Sequence, residues 1–356
     1  MSVTPLVAAA LLAQALAPPS PAPPAARVPP AAGGPHVVRR MYGAMGTEIK
    51  LTAWTADEAK AAKAFDAGYD EIRRIEVLMT DWERPGEPES DLVRINKAAG
   101  KQAVRVSDDT LDVIEKALDM SRRSDGAFDI TFAVMRGLWK FDDDLTKAVP
   151  PTAEIARRRK LIDWRAVEVN RKARTVKLRR AGMRIGLGGI AKGFAVDRCA
   201  AVLRQEGLTD YMVQAGGDLY VAGRKGTANW MVGVRDPRGS ADKVIAAMPI
   251  QDHAFSTAGD YERSFVLDGK RYHHIIDPKT GFPATASRSV TIFAPTALVA
   301  DALDDAVFIL GPHKGLALVE SMTDCSAVII DAANKVWTSK SLEGKLRLTA
   351  APTDGI

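Results

Sequence analysis

The stretch GLGGIAKG (186–193) is followed by FAVDRCAAVLRQEG (194–207) and then by three closely spaced apolar segments, YMVQ (211–214), LYVA (219–222) and WMVGVR (230–235). A strand ending at Ile185 enters the glycine-rich turn, and a helix leaves it near Phe194 and stops at Gly207. The next three segments have strand character with no helix between them. A doubly wound sheet would alternate strand and helix throughout. Adjacent hairpins mixed with helices place this chain in the α+β class instead.

The same mixture continues outward. EIKLTAW (48–54) alternates as a strand does, and residues 57–79 repeat Phe65, Tyr69, Ile72, Ile75 and Met79 at the helical spacing of three and four. A second amphipathic helix follows Ser107, with Leu111, Ile114 and Leu118 on one side and a stop at Asp125-Gly126. Residues 167–169 and 176–178 flank Asn170-Arg171-Lys172 as a hairpin would. Further strands are expected at 244–250, 263–267, 289–294 and 326–331, and a helix over 296–310. There is no internal repeat and no second linker, so residues 37–356 read as one intertwined unit.

The 356 residues carry 49 Lys+Arg against 44 Asp+Glu, a net charge of +5, with 46% hydrophobic and 26% charged residues. That excess is mild for the length. Its longest cluster, Arg157-Arg158-Arg159-Lys160, sits on a helical stretch without interleaved aromatics and reads as a solvated helix face, so nucleic acid is not an expected partner. Two cysteines, Cys199 and Cys325, exclude a disulfide-stapled scaffold and any cysteine-based metal framework, and both read as buried small hydrophobes.

Residues 1–36 are a separate object. Residues 6–17 (LVAAALLAQALA) form an apolar run of 12, too short to span a bilayer, and nine of the 20 prolines precede His36. A secretory signal-like segment with Ala-x-Ala cleavage triplets, followed by an extended Pro-rich linker, is the expectation, with an exported, periplasmic protein as its consequence. The first five residues, MSVTP, lack the positive charge usual in such a signal. The alternative is a tail on a cytosolic protein.

Several segments have the residue types that chemistry requires. In 186–193 the glycines let a ligand approach bare backbone, the following helix offers free N–H groups, and Lys192 adds a point charge suited to phosphate. Gly-Lys-Ser/Thr is missing, so this is not a P-loop. A tight turn with a solvent-facing lysine is the plain alternative. Asp301, Asp304 and Asp305 share one face of VADALDDAVFIL (299–310), where a hard cation would relieve their repulsion. Otherwise they form a solvated acidic face. In Tyr272-His273-His274-Ile275-Ile276-Asp277-Pro278-Lys279-Thr280-Gly281 neighbouring residues of an extended chain point to opposite sides, so at most one histidine, His274, faces a given site. Met45-Gly46-Thr47, GAFDIT (126–131) and STAGDY (256–261) are each compatible with an ordinary turn.

Taken in order, MGT (45–47), a Trp82 segment ending in SDLVRIN (90–96), GAFDIT, LGGIAKG, QAGGD (214–218), STAGDYE, HHIIDPKTG and the acidic helix resemble the ApbE family of FAD:protein FMN transferases, from Val37 to about residue 331. The resemblance implies a mixed, T-fold-like unit that holds FAD and Mg²⁺, cleaves the FAD pyrophosphate and transfers FMN to a threonine or serine of a partner flavoprotein, releasing AMP. It implies acceptors that are subunits of membrane redox complexes, with no transmembrane span in this chain itself. Matched by motif, Met45, Trp82, Ala127, Phe128, Asp129, Gly186, Lys192 and Ile275 are the expected FAD contacts, and Gly189, Asp301, Asp304 and Asp305 the expected metal positions. A hydroxyl nucleophile needs a base, for which His274, Asp277 and Asp260 are the candidates.

Three positions depart from the family pattern. Gly186 stands where aspartate is usual, Asp305 where threonine is usual, and Ala258 where serine is frequent. Two other readings stay open: hydrolysis of FAD to FMN and AMP, and FAD binding without catalysis.

Overall fold

Strands His36–Ala44, Thr47–Thr55, Tyr211–Ala215, Asp218–Ala222, His253–Gly259, Ser287–Ala294, Ser326–Asp331 and Val336–Thr338 form an eight-stranded sheet in that spatial order, every neighbouring pair antiparallel. This computed structural model describes residues 33–83, 85–141, 147–240 and 242–356, and the fold below is that of the unit Gly34–Ile356. The signal-like run and most of the Pro-rich linker lie outside the described residues. No helix among the described residues is long and apolar enough to cross a membrane.

Helices Glu58–Met79, Ala191–Gln205 and Ala297–Glu320 cover one face of the sheet. A three-stranded sheet (Trp230–Arg235, Val244–Ile250, Arg347–Leu348) covers part of the other. This explains why SRSVTIFA (287–294) is buried almost without alternation, polar residues included. Val290 and Ile292 enter the helix-side core, while Phe293 enters the second core with Val232 and Ile245, so both faces of the strand are buried. The α+β reading holds.

Helix starts follow local chemistry. The side chains of Asp57, Ser90, Ser107 and Thr296 accept the N–H groups of Lys60, Val93, Thr110 and Val299 at 2.9, 3.0, 3.2 and 3.3 Å. The helix expected to end at Leu310 does break there, at Gly311 (φ 72°) and Pro312, but resumes as far as Glu320. STAGDY is not a simple turn: residues 256–259 belong to the strand His253–Gly259, near the middle of the sheet. The arginine run is not merely a solvated face either. Arg158 donates to the Val134 and Arg136 carbonyls at 3.1 and 2.9 Å and Arg159 to Lys279 O at 2.6 Å, tying the helix Thr152–Arg159 to residues 134–136 and to the HHIIDPKTG segment. Cys199 and Cys325 are both buried, as expected, and burial raises both thiol pKa values.

Candidate active site

The glycine-rich turn delivers its chain straight into the helix Ala191–Gln205, which crosses the acidic helix at very close range. A Cβ on Gly193 would lie 2.2 Å from the Ala297 carbonyl oxygen, so only glycine fits. Asp197 reinforces the crossing by accepting the Ala297 and Leu298 N–H groups at 2.8 and 2.9 Å, capping the acidic helix from its neighbour. Nothing in the motif pattern marks Asp197. Its one sequence signal is an acid inside FAVDRCAAVL (194–203), a run otherwise apolar except for Arg198, and burial pushes its carboxyl up to about 6.

At this crossing the acids meet Lys192. Its Nζ lies 2.5 Å from Asp218 Oδ2 and 3.4 Å from Asp301 Oδ1. The other oxygen of Asp301 accepts the Gly193 N–H at 2.8 Å, so the helix N-terminus expected to receive a phosphate carries a carboxylate of the protein itself. Ser256 Oγ hydrogen-bonds both Asp218 and Asp304. One hydroxyl proton cannot satisfy two carboxylates at once. Burial, then the neighbouring acids, raises Asp304 well above the carboxylate range. Burial, then the charge of Asp218, brings Asp301 up to about 8. Asp305 is raised to about 6, first by burial, and its carboxylate fills the space in front of Gly189, where a Cβ would come within 2.3 Å of it.

Asp218 is the last residue of the QAGGD segment. Its position depends on two turns. Met45 (φ 53°) and Gly46 (φ 71°) close the first hairpin, and Gly216 (φ 58°) donates its N–H to Glu48 O at 3.0 Å, which docks the QAGGD turn against Thr47.

Three of the four expected metal positions are side chains that line this crossing, and they face different partners: Asp301 the Gly193 N–H, Asp304 Ser256, and Asp305 the Gly189 turn. Among the described residues no group of three or more acidic, histidine or cysteine side chains is preassembled as a cation site. The donors are nevertheless hard oxygens, and four acids face one lysine. That charge excess fits a divalent cation.

The three candidate bases separate. His274 donates its backbone N–H to Arg263 O at 3.1 Å. Its Nδ1 is buried without a hydrogen-bond partner, and burial, with the charges of Arg263 and Lys192, lowers its pKa to about 3. It is therefore neutral. His273 turns the other way. Its Nε2 bonds Ala284 O at 2.8 Å, its Nδ1 accepts the Ile275 N–H at 3.3 Å, and its ring packs edge-on to Phe308 of the acidic helix. Asp260 has both oxygens engaged by Arg238 at 2.6 and 2.7 Å. Asp277 holds the turn, accepting the Lys279 N–H on its side chain and the Gly281 N–H on its carbonyl, each at 2.8 Å. Trp139 Nε1 locks that turn on Gly281 O at 2.9 Å. Asp260 is engaged on both oxygens, whereas Asp277 commits one oxygen to its own turn.

Of the expected FAD contacts, Ala127, Phe128 and Ile275 are buried, and Phe128 packs beside Gly189. Asp129 is an internal cap: it accepts from Thr131 N and Oγ1 and from Trp164 N, at 2.8, 2.6 and 3.0 Å. Trp82 is 63% exposed, which rules out a core role, and Arg136 lies 4.2 Å above its ring. Beside it, Asp81 pairs with Arg136 and approaches Gly186. Arg263 also lies within the electrostatic reach of Arg136, so charged groups run from Trp82 through Arg136 and Arg263 to His274 and Lys192.

The ApbE family profile matches residues 45–329. An FAD:protein FMN transferase of Treponema pallidum is 35% identical over 278 residues, covering 74% of this chain and 76% of its own. One from Klebsiella pneumoniae is 32% identical over 311 residues, covering 87% and 93%. Among solved structures, the ApbE protein of Thermotoga maritima superposes with a TM-score of 0.79 at 31% identity, covering 87% of this chain and 99% of its own. The flavin transferase ApbE of Vibrio cholerae gives 0.75 at 26%, with the same coverage. With the glycine-rich turn, Asp218, Ser256 and the acidic helix meeting at one crossing and this likeness along most of its length, the chain belongs to the ApbE family.

Proposed function

We propose that the protein is an FAD:protein FMN transferase that moves FMN from FAD onto a threonine or serine hydroxyl of a partner flavoprotein, with AMP as the second product. The observation that carries this reading is the convergence of Lys192 with Asp218, Asp301 and Asp304 in the electrostatic neighbourhood of a neutral, unpartnered His274. A pyrophosphate needs its charge neutralised as it splits, and a hydroxyl needs a proton acceptor.

Asp301, Asp304 and Asp305, with the Gly189 carbonyl, are the residues that would hold Mg²⁺, and the ion would supply electrophilic neutralisation of the pyrophosphate oxygens. Lys192 adds a fixed cation on the same side. The hydroxyl oxygen of the acceptor attacks the phosphorus of the FMN half. The bond to the bridging oxygen breaks, AMP leaves with that oxygen, and the neutral imidazole of His274 takes the hydroxyl proton. The apolar N-terminal run and the family resemblance favour an exported enzyme whose acceptors belong to membrane redox complexes.

The test is incubation of the protein with FAD, Mg²⁺ and a candidate flavoprotein subunit, with AMP and free FMN quantified by chromatography. Transfer gives AMP without matching free FMN. Equal AMP and FMN would establish hydrolysis instead, and no AMP would leave only binding.

A further inference from the structure

Asp81 has one carboxylate oxygen, Oδ2, that is buried with no hydrogen-bond partner, on a side chain only 8% exposed. Its other oxygen pairs with Arg136. An unpaired carboxylate oxygen at such depth is costly, and burial accordingly raises the Asp81 pKa. Two features show what it lacks. The Gly186 turn lies directly against it, where a Cβ would be 3.4 Å from Oδ2 and 3.1 Å from the Ala133 Cβ. And Arg136, which pairs with the acid, holds its guanidinium carbon over the exposed Trp82 ring, 4.2 Å from the centroid, where a flat heterocycle would stack. Arg184 stands on the other side, with Nη2 3.5 Å from Asp81 O and Nε buried without a hydrogen-bond partner.

We infer that Asp81 is a ligand-binding residue: a flat ring displaces Arg136 from Trp82, and Asp81 Oδ2 then accepts a hydrogen bond from an N–H on the ring edge. An acceptor flanked by guanidinium donors complements an edge on which N–H lies between two acceptor atoms. The imide of the flavin ring has that edge, and so does the amine edge of adenine, and both are present in FAD. The inference rests on FAD being the substrate, as proposed above.

The test is equilibrium binding of FAD, FMN and ADP to the full chain, followed by fluorescence or calorimetry, for wild type, Asp81→Ala, Asp81→Asn and the double variant Asp81→Ala/Gly186→Asp. Loss of a hydrogen bond to a charged acceptor weakens FAD binding about 10- to 100-fold in Asp81→Ala. Asp81→Asn, which keeps an acceptor oxygen, loses less. The double variant regains most of the loss, because a carboxylate carried on residue 186 starts beside the vacated position. Loss for FMN alone places the flavin ring at Asp81, and loss for ADP alone places adenine there. A melting temperature measured without ligand separates binding from folding. Wild-type FAD affinity in Asp81→Ala, or equal losses for FMN and ADP tracking a lowered melting temperature, would overturn the inference. Absence of FAD binding to the wild type would instead refute the substrate assignment.

Discussion

Lys192 Nζ lies 2.5 Å from Asp218 Oδ2, joining the first turn of one helix to the start of a strand in the main sheet. Asp301 approaches the same Nζ at 3.4 Å, and Ser256 links Asp218 to Asp304. Among the described residues lysine is the cation of this knot, so its loss leaves the buried acids facing one another without it. Lys192→Met is expected to lower turnover with FAD by about 10²–10³-fold, the typical cost of removing one preorganised charge-stabilising group. Initial rates of AMP release at saturating FAD provide the check, and a loss under tenfold contradicts the role.

His274 is neutral and unpartnered at Nδ1. His274→Asn keeps size and polarity but removes the proton acceptor, so kcat should fall about 10²–10⁴-fold while FAD affinity stays within a few-fold. A fall in affinity with kcat preserved would make His274 a binding residue only.

Two glycines of the same turn should fail differently on substitution. At Gly193 an added methyl meets the Ala297 backbone at 2.2 Å, so Gly193→Ala forces the helices apart and should cost at least about 1–3 kcal/mol of stability, read from urea denaturation. At Gly189 the obstacle is the Asp305 carboxylate, the mobile end of a side chain, at 2.3 Å. Gly189→Ala should therefore fold near-normally while shifting the concentration of divalent cation needed for half-maximal rate. Equal stability of the two variants would contradict this distinction.

In the folded protein Asp301 keeps its proton up to about pH 8, whereas the unfolded chain releases it near the ordinary carboxylate value. Its contribution to stability is therefore complete in acid and is lost as pH rises towards 8. His274 acts oppositely, but only below its unfolded pKa near 6.5, where the unfolded chain binds a proton that the folded one refuses. Between pH 6.5 and 8 the acids dominate. The metal-free melting temperature should fall across that window, and millimolar Mg²⁺ should raise it more at pH 8 than at pH 6.5. A Mg²⁺ effect independent of pH would detach the acids from the metal.

Much of this arrangement is legible in the sequence. The spacing of Phe65, Ile72 and Ile75 gives the first helix, and the mixed order of segments after residue 193 gives the α+β class. Periodicity cannot show which side-chain oxygens are already in use. Asp260, Asp277 and Asp129 look like free acids in the sequence, yet Arg238, the 277–281 turn and the Thr131–Trp164 backbone occupy them. All of these partners lie elsewhere in the fold or depend on turn geometry. Asp197 and Asp81 escape for the converse reason: each gains its meaning from a segment about 100 residues away, the Ala297 helix start for one and the Gly186 turn for the other. The strand His253–Gly259 was hidden because Ser256, Thr257 and Gly259 give it the composition of a turn.

The most direct test of the central claim is intact-protein mass spectrometry of a purified acceptor flavoprotein after incubation with this protein, FAD and Mg²⁺. The account predicts a gain equal to one FMN less a water, lost when the acceptor hydroxyl is substituted and strongly reduced with Lys192→Met. An unchanged acceptor mass while AMP and free FMN accumulate would contradict it.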